Sequence, residues 1–108
     1  MSAKDIYHNT IKKAIEKDNW IITDDPLKLT WGKRYFFVDL GAKKLIGAQK
    51  GEQKIAVEVK SFTGISQATE LERALGQYIL YRNILEEKEP ERLLYLAIIE
   101  DIFNDIFS

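Results

Sequence analysis

Asp39, Glu58 and Lys60 are the residues of this 108-residue sequence whose types and spacing could do chemistry. Asp39 interrupts the apolar run Tyr35-Phe36-Phe37-Val38-Asp39-Leu40, and Glu58 and Lys60 close the run Lys54-Ile55-Ala56-Val57-Glu58-Val59-Lys60. A strand left to its own preferences would carry Val or Ile at these places. Alternation along a strand puts Glu58 and Lys60 on one face and Ile55, Val57 and Val59 on the other, and burying the apolar set fixes the register. If Asp39 and Glu58 approach to about 4 Å, their repulsion is about 4 kcal/mol at an effective dielectric near 20, a large part of a domain's stability. Lys60 offsets some of this and a divalent cation more. Two carboxylates, the Val59 carbonyl and water are the hard oxygens that Mg²⁺ prefers, with Mn²⁺ as the alternative. The expected chemistry is metal-assisted hydrolysis of a phosphodiester, with Asp39, Glu58 and Val59 holding the metal and Lys60 orienting or deprotonating the water. A lone Glu-x-Lys also occurs on exposed strands as a solvated pair, so Asp39 is the discriminating residue.

A second pair lies further along. Gln77 and Tyr81 are i, i+4 neighbours and share a helix face, which with Ala74 is expected to look toward a sheet. Gly76 between them costs about 1 kcal/mol relative to alanine, so it is read as a point of close packing. His8 and Asp5, near the start of the chain, are secondary candidates. Asp5 has a competing role as partner of Ser2 in a capping box. His8 is the single histidine and has no second histidine for a zinc site.

The elements that must hold these residues follow from periodicity. Residues 3–18 read as an amphipathic helix and Trp20-Ile21-Ile22-Thr23 as a strand stopped by Asp24-Asp25-Pro26, with Leu27 to Thr30 extending it. Gly32 turns the chain into Tyr35–Leu40, which looks like an inner strand covered on both faces. Leu45-Ile46-Gly47-Ala48 is a short segment, and a turn at Lys50-Gly51-Glu52 leads into Lys54–Lys60. A helix runs from about Ser66 to Glu87, Pro90 marks the loop after it, and Leu93–Ile99 is a buried strand. Ile102, Phe103, Ile106 and Phe107 close the chain as an amphipathic turn that packs on the sheet or forms a dimer seam. The fold class is α/β: a mixed central β-sheet flanked by helices, in a single domain spanning 1–108.

Composition narrows the setting. An apolar fraction of 45% with 31% charged residues suits a soluble globular chain rather than a disordered one. No apolar run approaches the roughly 20 residues that span a bilayer, so no membrane partner is expected. The amphipathic start is unlike a signal peptide, and zero cysteines exclude a disulfide framework and thiolate metal sites. The expected location is the cytoplasm. Net charge is −1, but residues 28–60 hold eight basic and three acidic side chains, whereas 86–108 hold two basic and seven acidic. The positive block brackets the candidate site, which permits a DNA partner.

Asp followed by Glu-x-Lys resembles the PD-(D/E)XK nuclease superfamily, and Gln-x-x-x-Tyr on the next helix resembles its RecB-like branch. That resemblance implies that Gln77 and Tyr81 line the active site, positioning Lys60 or the scissile phosphate, and that an acid on the first helix, here Asp5, contributes. A closer resemblance covers nearly the whole chain. Ser2-Ala3-Lys4-Asp5-Ile6-Tyr7-His8-Asn9, Val38-Asp39-Leu40-Gly41-Ala42, Ile55 to Phe62 and Ala74-Leu75-Gly76-Gln77-Tyr78-Ile79-Leu80-Tyr81-Arg82 resemble the XisH family, the fdxN element excision controlling factors of cyanobacteria. It implies a restriction-endonuclease-like core and an accessory role in the programmed DNA rearrangement of heterocyst development. There a site-specific recombinase performs the excision, and an XisI-type protein is the expected partner. Beside a protein-interaction module working through the acidic C-terminal third, two functions are open on these residues. One is a Mg²⁺-dependent endonuclease-like enzyme, which would pair as a homodimer to cut both strands. The other is a non-catalytic factor that binds DNA or the XisI-type partner.

Overall fold

A computed structural model describes residues 6–47, 51–61 and 67–98. Two helices and six strands follow in the order α1 (His8–Lys17), β1 (Ile21–Asp24), β2 (Leu27–Trp31), β3 (Arg34–Val38), β4 (Leu40–Leu45), β5 (Glu52–Lys60), α2 (Gln67–Lys88) and β6 (Arg92–Ile98). The central sheet has the order β1-β4-β5-β6, and β2 and β3 form a separate two-stranded sheet. β1–β4 and β4–β5 are antiparallel, while β5–β6 is parallel, joined by α2 as a crossover. The sheet is therefore mixed, as expected.

Residues 55–59 of β5 are all buried, which explains their near-continuous apolar run. Ile55, Val57 and Val59 cluster with Leu40 and Ala42 under Tyr7, which precedes α1, and Ile11 and Ile15 of α1. On the other face Ala56 and Leu94 meet Tyr81, Ile84 and Leu85 of α2, together with Leu27, Leu29 and Val38 of the β2–β3 hairpin. Ala74, Tyr78, Tyr81 and Leu85 recur at helical spacing and form the inward stripe of α2. The Tyr78 hydroxyl donates to the Leu94 carbonyl at 3.2 Å and ties that stripe to β6.

Four expectations need correction. The strand expected as a segment at Leu45–Ala48 lies instead at Leu40–Leu45. β6 is not buried throughout, since Leu93 and Tyr95 are each 49% exposed. Tyr35–Leu40 is not one inner strand: the chain bends at Asp39 and passes from the hairpin to the central sheet. β1–β2 and β3–β4 thus form one long ribbon, paired from Ile21↔Lys43 to Trp31↔Arg34 and bent where Asp25-Pro26 faces Asp39. Val38 is buried, but Tyr35 and Phe37 point outward and are 60% and 52% exposed. Nor does Gly76 mark a close approach, because a Cβ built there would meet no other atom within 4 Å. The Ser2–Asp5 capping box, the helix start at Ala3 and the terminal Ile102–Phe107 turn lie outside the described residues. Among the described residues no helix is long and apolar enough to cross a membrane.

Candidate functional site

The β4–β5 ladder runs from Leu45↔Glu52 to Leu40↔Val57, and one more step would set Asp39 opposite Glu58. At that step side chains replace the backbone ladder. The Asp39 amide donates to Oε1 of Glu58 at 3.1 Å, and the Val59 amide donates to Oδ2 of Asp39 at 2.7 Å. Each strand thereby caps an amide of the other with a carboxylate, a charge-assisted bond that fixes both acids. Lys60 Nζ stands 3.5 Å from Oε2 of Glu58. The three expected residues are one cluster.

Their environments differ. Glu58 is only 5% exposed, with Leu96 beside it on β6. Its carboxyl is pushed up to about 7, first by burial, then by the charge of Asp39 and a hydrogen bond between the two carboxyls. Lys60 and the Asp39 amide oppose this without cancelling it. Tyr81 is buried on α2, with its hydroxyl pushed up to about 12 by burial and by the charges of Glu58 and Asp39. It therefore stays neutral as a hydrogen-bond donor near the acid pair. Its ring packs against Phe36 of the hairpin with centroids 6.2 Å apart. Gln77, expected to face the sheet with Ala74 and Tyr81, is instead exposed on the margin of the inward stripe, because one residue's rotation on the helix from inward-facing Tyr78 carries it past the packed face.

The groups that could hold a hard cation are the Asp39 and Glu58 carboxylates and the Val59 carbonyl. In a strand a residue's N–H and C=O point to the same edge, so this carbonyl faces the side on which Asp39 accepts the Val59 amide. Among the described residues no cluster of three or more His, Cys, Asp or Glu could hold a metal ion. A cation here would complete its shell with water, as Mg²⁺ does in carboxylate-poor sites.

His8 belongs to a different constellation. It is 2% exposed, and its Nε2 lies 2.7 Å from Oδ1 of Asp25, while Lys12 Nζ donates to Oδ2 at 2.7 Å. Burial pushes the Asp25 carboxyl upward, but the bonds from Lys12 and His8 outweigh it and hold the group below its ordinary range. The Lys12 ammonium is raised by the same hydrogen bond. This staple ties α1 to the bend between β1 and β2. Asp25 had no signal beyond a turn-forming Asp-Asp-Pro. Asp5 lies outside the described residues.

The family model described as XisH protein matches residues 1–108. A crystal structure of an XisH family protein from Nostoc punctiforme PCC 73102 superposes with a TM-score of 0.82 at 41% identity, covering 95% of this chain and 76% of that one. A fdxN element excision controlling factor protein from Anabaena variabilis gives a TM-score of 0.80 at 42% identity, covering 96% and 76%. No curated protein matches.

Proposed function

Since the chain belongs to the XisH family, the fdxN element excision controlling factors, we propose that it is a Mg²⁺-dependent DNA hydrolase built on a PD-(D/E)XK, restriction-endonuclease-like core and serving that excision. The observation that carries this reading is the reciprocal capping that locks Asp39 and Glu58 together beside Lys60. The raised Glu58 carboxyl supports it, since Lys60 alone leaves the pair short of positive charge. Mg²⁺, or Mn²⁺ in its place, would be held by Asp39, Glu58 and the Val59 carbonyl. Bound there it would supply the missing charge, acidify a coordinated water and polarise the phosphate.

The chain's own groups do the rest. Asp39 and Glu58 are held by backbone amides, so they need little reorganisation to receive a cation. Lys60, on the same face of β5 as Glu58, orients the attacking water or takes its proton. Tyr81 donates from a neutral hydroxyl toward the phosphate, and Gln77, one turn before it, reaches the same phosphate from the open side. The partners are DNA, an XisI-type protein and the site-specific recombinase machinery, in the cytoplasm.

Purified protein should nick DNA in Mg²⁺ or Mn²⁺, and Asp39→Asn, Glu58→Gln and Lys60→Ala should each cut activity by at least about 100-fold while leaving the circular dichroism spectrum unchanged. If the wild-type chain, alone and with the XisI-type partner, cuts no duplex, junction or single strand, the hydrolase reading fails. One observation favours a second reading, a non-catalytic factor binding DNA or the XisI-type protein on the same surface: the donor set stops at two carboxylates among the described residues. Full excision control in a Lys60→Ala strain would select it.

A further inference from the structure

The β2–β3 hairpin presents an outer face that the core does not explain. Its inner residues Leu27, Leu29 and Val38 are buried against α2, with Phe36 packed beside them. Across the outer face Lys28 pairs with Phe37 and Thr30 with Tyr35, and all four side chains are exposed. Residues 27–38 contain Lys28, Lys33 and Arg34 and no acid, in a chain whose net charge is −1. Lys28 Nζ lies 4.0 Å from the centroid of the Tyr35 ring, a weak contact at an exposed site that an incoming group can displace. An apolar docking face for a protein would not need cations interleaved with its aromatics, whereas a polyanion with flat apolar bases matches both.

The spacing selects the form of nucleic acid. Tyr35 and Phe37 are two residues apart on one strand, so their rings are offset by about 6.7 Å. Stacked bases rise by about 3.4 Å, and in a duplex their faces are covered by one another. Rings at twice that interval can each receive a base only from a strand whose bases are unstacked. The platform is also joined to the candidate site: Phe37 is two residues before Asp39, and Phe36 on the inner face packs on Tyr81.

We infer that the outer face of this hairpin binds single-stranded DNA, stacking bases on Tyr35 and Phe37 with Lys28, Lys33 and Arg34 on the phosphates, and leads the strand toward Asp39, Glu58 and Lys60. The inference names the substrate form for the site proposed above and rests on that reading for its destination, but the stacking surface itself does not.

The test is fluorescence anisotropy in EDTA, so that binding is read without hydrolysis, using a labelled oligothymidylate of about 20 nucleotides, a duplex of equal length and the matching oligouridylate. The single DNA strand should bind at least about tenfold tighter than the duplex. Tyr35→Ala and Phe37→Ala should each weaken it by about tenfold, while Tyr35→Phe and Phe37→Tyr stay within about twofold of wild type. Both residues are exposed, so thermal midpoints should not move, and light scattering should find the same mass in every variant. Equal or tighter duplex binding, tighter binding of oligouridylate, or alanine variants that bind like wild type would overturn the inference. So would a dimer dissolved by Tyr35→Ala, which would make the face a contact between copies. Stacking-dependent binding with no cleavage by wild type in Mg²⁺ or Mn²⁺ upholds the hairpin's role and removes the hydrolase. Cleavage that persists in alanine variants of unchanged strand affinity does the reverse.

Discussion

Glu58 must hold its charge in a place that disfavours charge, and the consequence is a pH dependence of known sign. Its carboxyl sits at about 7 in the folded chain, against about 4.3 when unfolded. Below about pH 4 both states hold the proton and nothing is lost. Between there and about 7 the folded state keeps a proton that the unfolded state has released, so stability falls as pH rises. Above about 7 the loss is complete, on the order of 3–4 kcal/mol. Glu58→Gln should remove it, because an amide can accept from the Asp39 backbone and donate to the Asp39 carboxylate without a charge. Urea denaturation should show the variant more stable than wild type at pH 8 and close to it at pH 4. A millimolar divalent cation should raise the wild-type midpoint at pH 8 and leave that of Glu58→Gln in place, since only a ligand of the folded state stabilises it. A wild-type stability that is flat from pH 4 to 8 would mean that the two carboxylates do not share one pocket.

The elements that hold this pair depend on two close fits away from it. Gly41 of β4 lies where a Cβ would be 2.9 Å from Oδ2 of Asp24 and 3.1 Å from Nη1 of Arg92. Arg92 cannot withdraw easily, because the same nitrogen donates to the Ile55 carbonyl at 2.9 Å while Nε and Nη2 bind Glu89. Gly41→Ala should therefore cost about 1–3 kcal/mol, read as a lower urea midpoint at unchanged slope. The second fit is the His8–Asp25–Lys12 staple. Asp25→Ala leaves the buried His8 ring without its carboxylate and should cost about 1–3 kcal/mol at pH 7. Because the Asp25 carboxyl is depressed, its contribution is present above the ordinary carboxylate range and lost as acid protonates it, so variant and wild type should converge on acidification. These fits also mark where the sequence was legible. Alternation in Lys54–Lys60 was enough to set Glu58 and Lys60 on one face, and both helices and the strands at Ile21, Lys54 and Leu93 followed from periodicity, whereas β4 at Leu40–Leu45 did not. The bend at Asp39 was not legible, because a ribbon that changes sheets keeps the apolar signature of one strand across the break. Tyr35 and Phe37 read as core for the same reason. Asp25 was hidden because its partner His8 is 17 residues away on a helix, a distance that no local pattern reports.

At the scale of the whole molecule, net charge is a poor guide to the surface that a polyanion meets. Of the eight cations in residues 28–60, Lys43 lies 3.3 Å from Glu52, Lys44 lies 3.6 Å from Asp18 and Lys60 lies 3.5 Å from Glu58. Lys50 is outside the described residues. Among the described residues Lys28, Lys33, Arg34 and Lys54 have no acidic partner, and three of these four are on the hairpin. A lysine already balanced by a carboxylate neutralises a phosphate poorly and displaces few of the counterions condensed on the DNA, whereas an unpaired one neutralises it and displaces them. The salt dependence of DNA binding should therefore separate the two groups. In anisotropy titrations at several salt concentrations, Lys33→Ala combined with Arg34→Ala should lower the slope of log K against log salt by about 1.4 for a single strand, at roughly 0.7 for each phosphate no longer neutralised. Lys44→Ala should change it by less than about 0.3, since its Asp18 partner is freed as the cation is removed. Equal reductions from both changes would mean that the positive block acts as one diffuse field, and that the hairpin has no privileged part in meeting the phosphates.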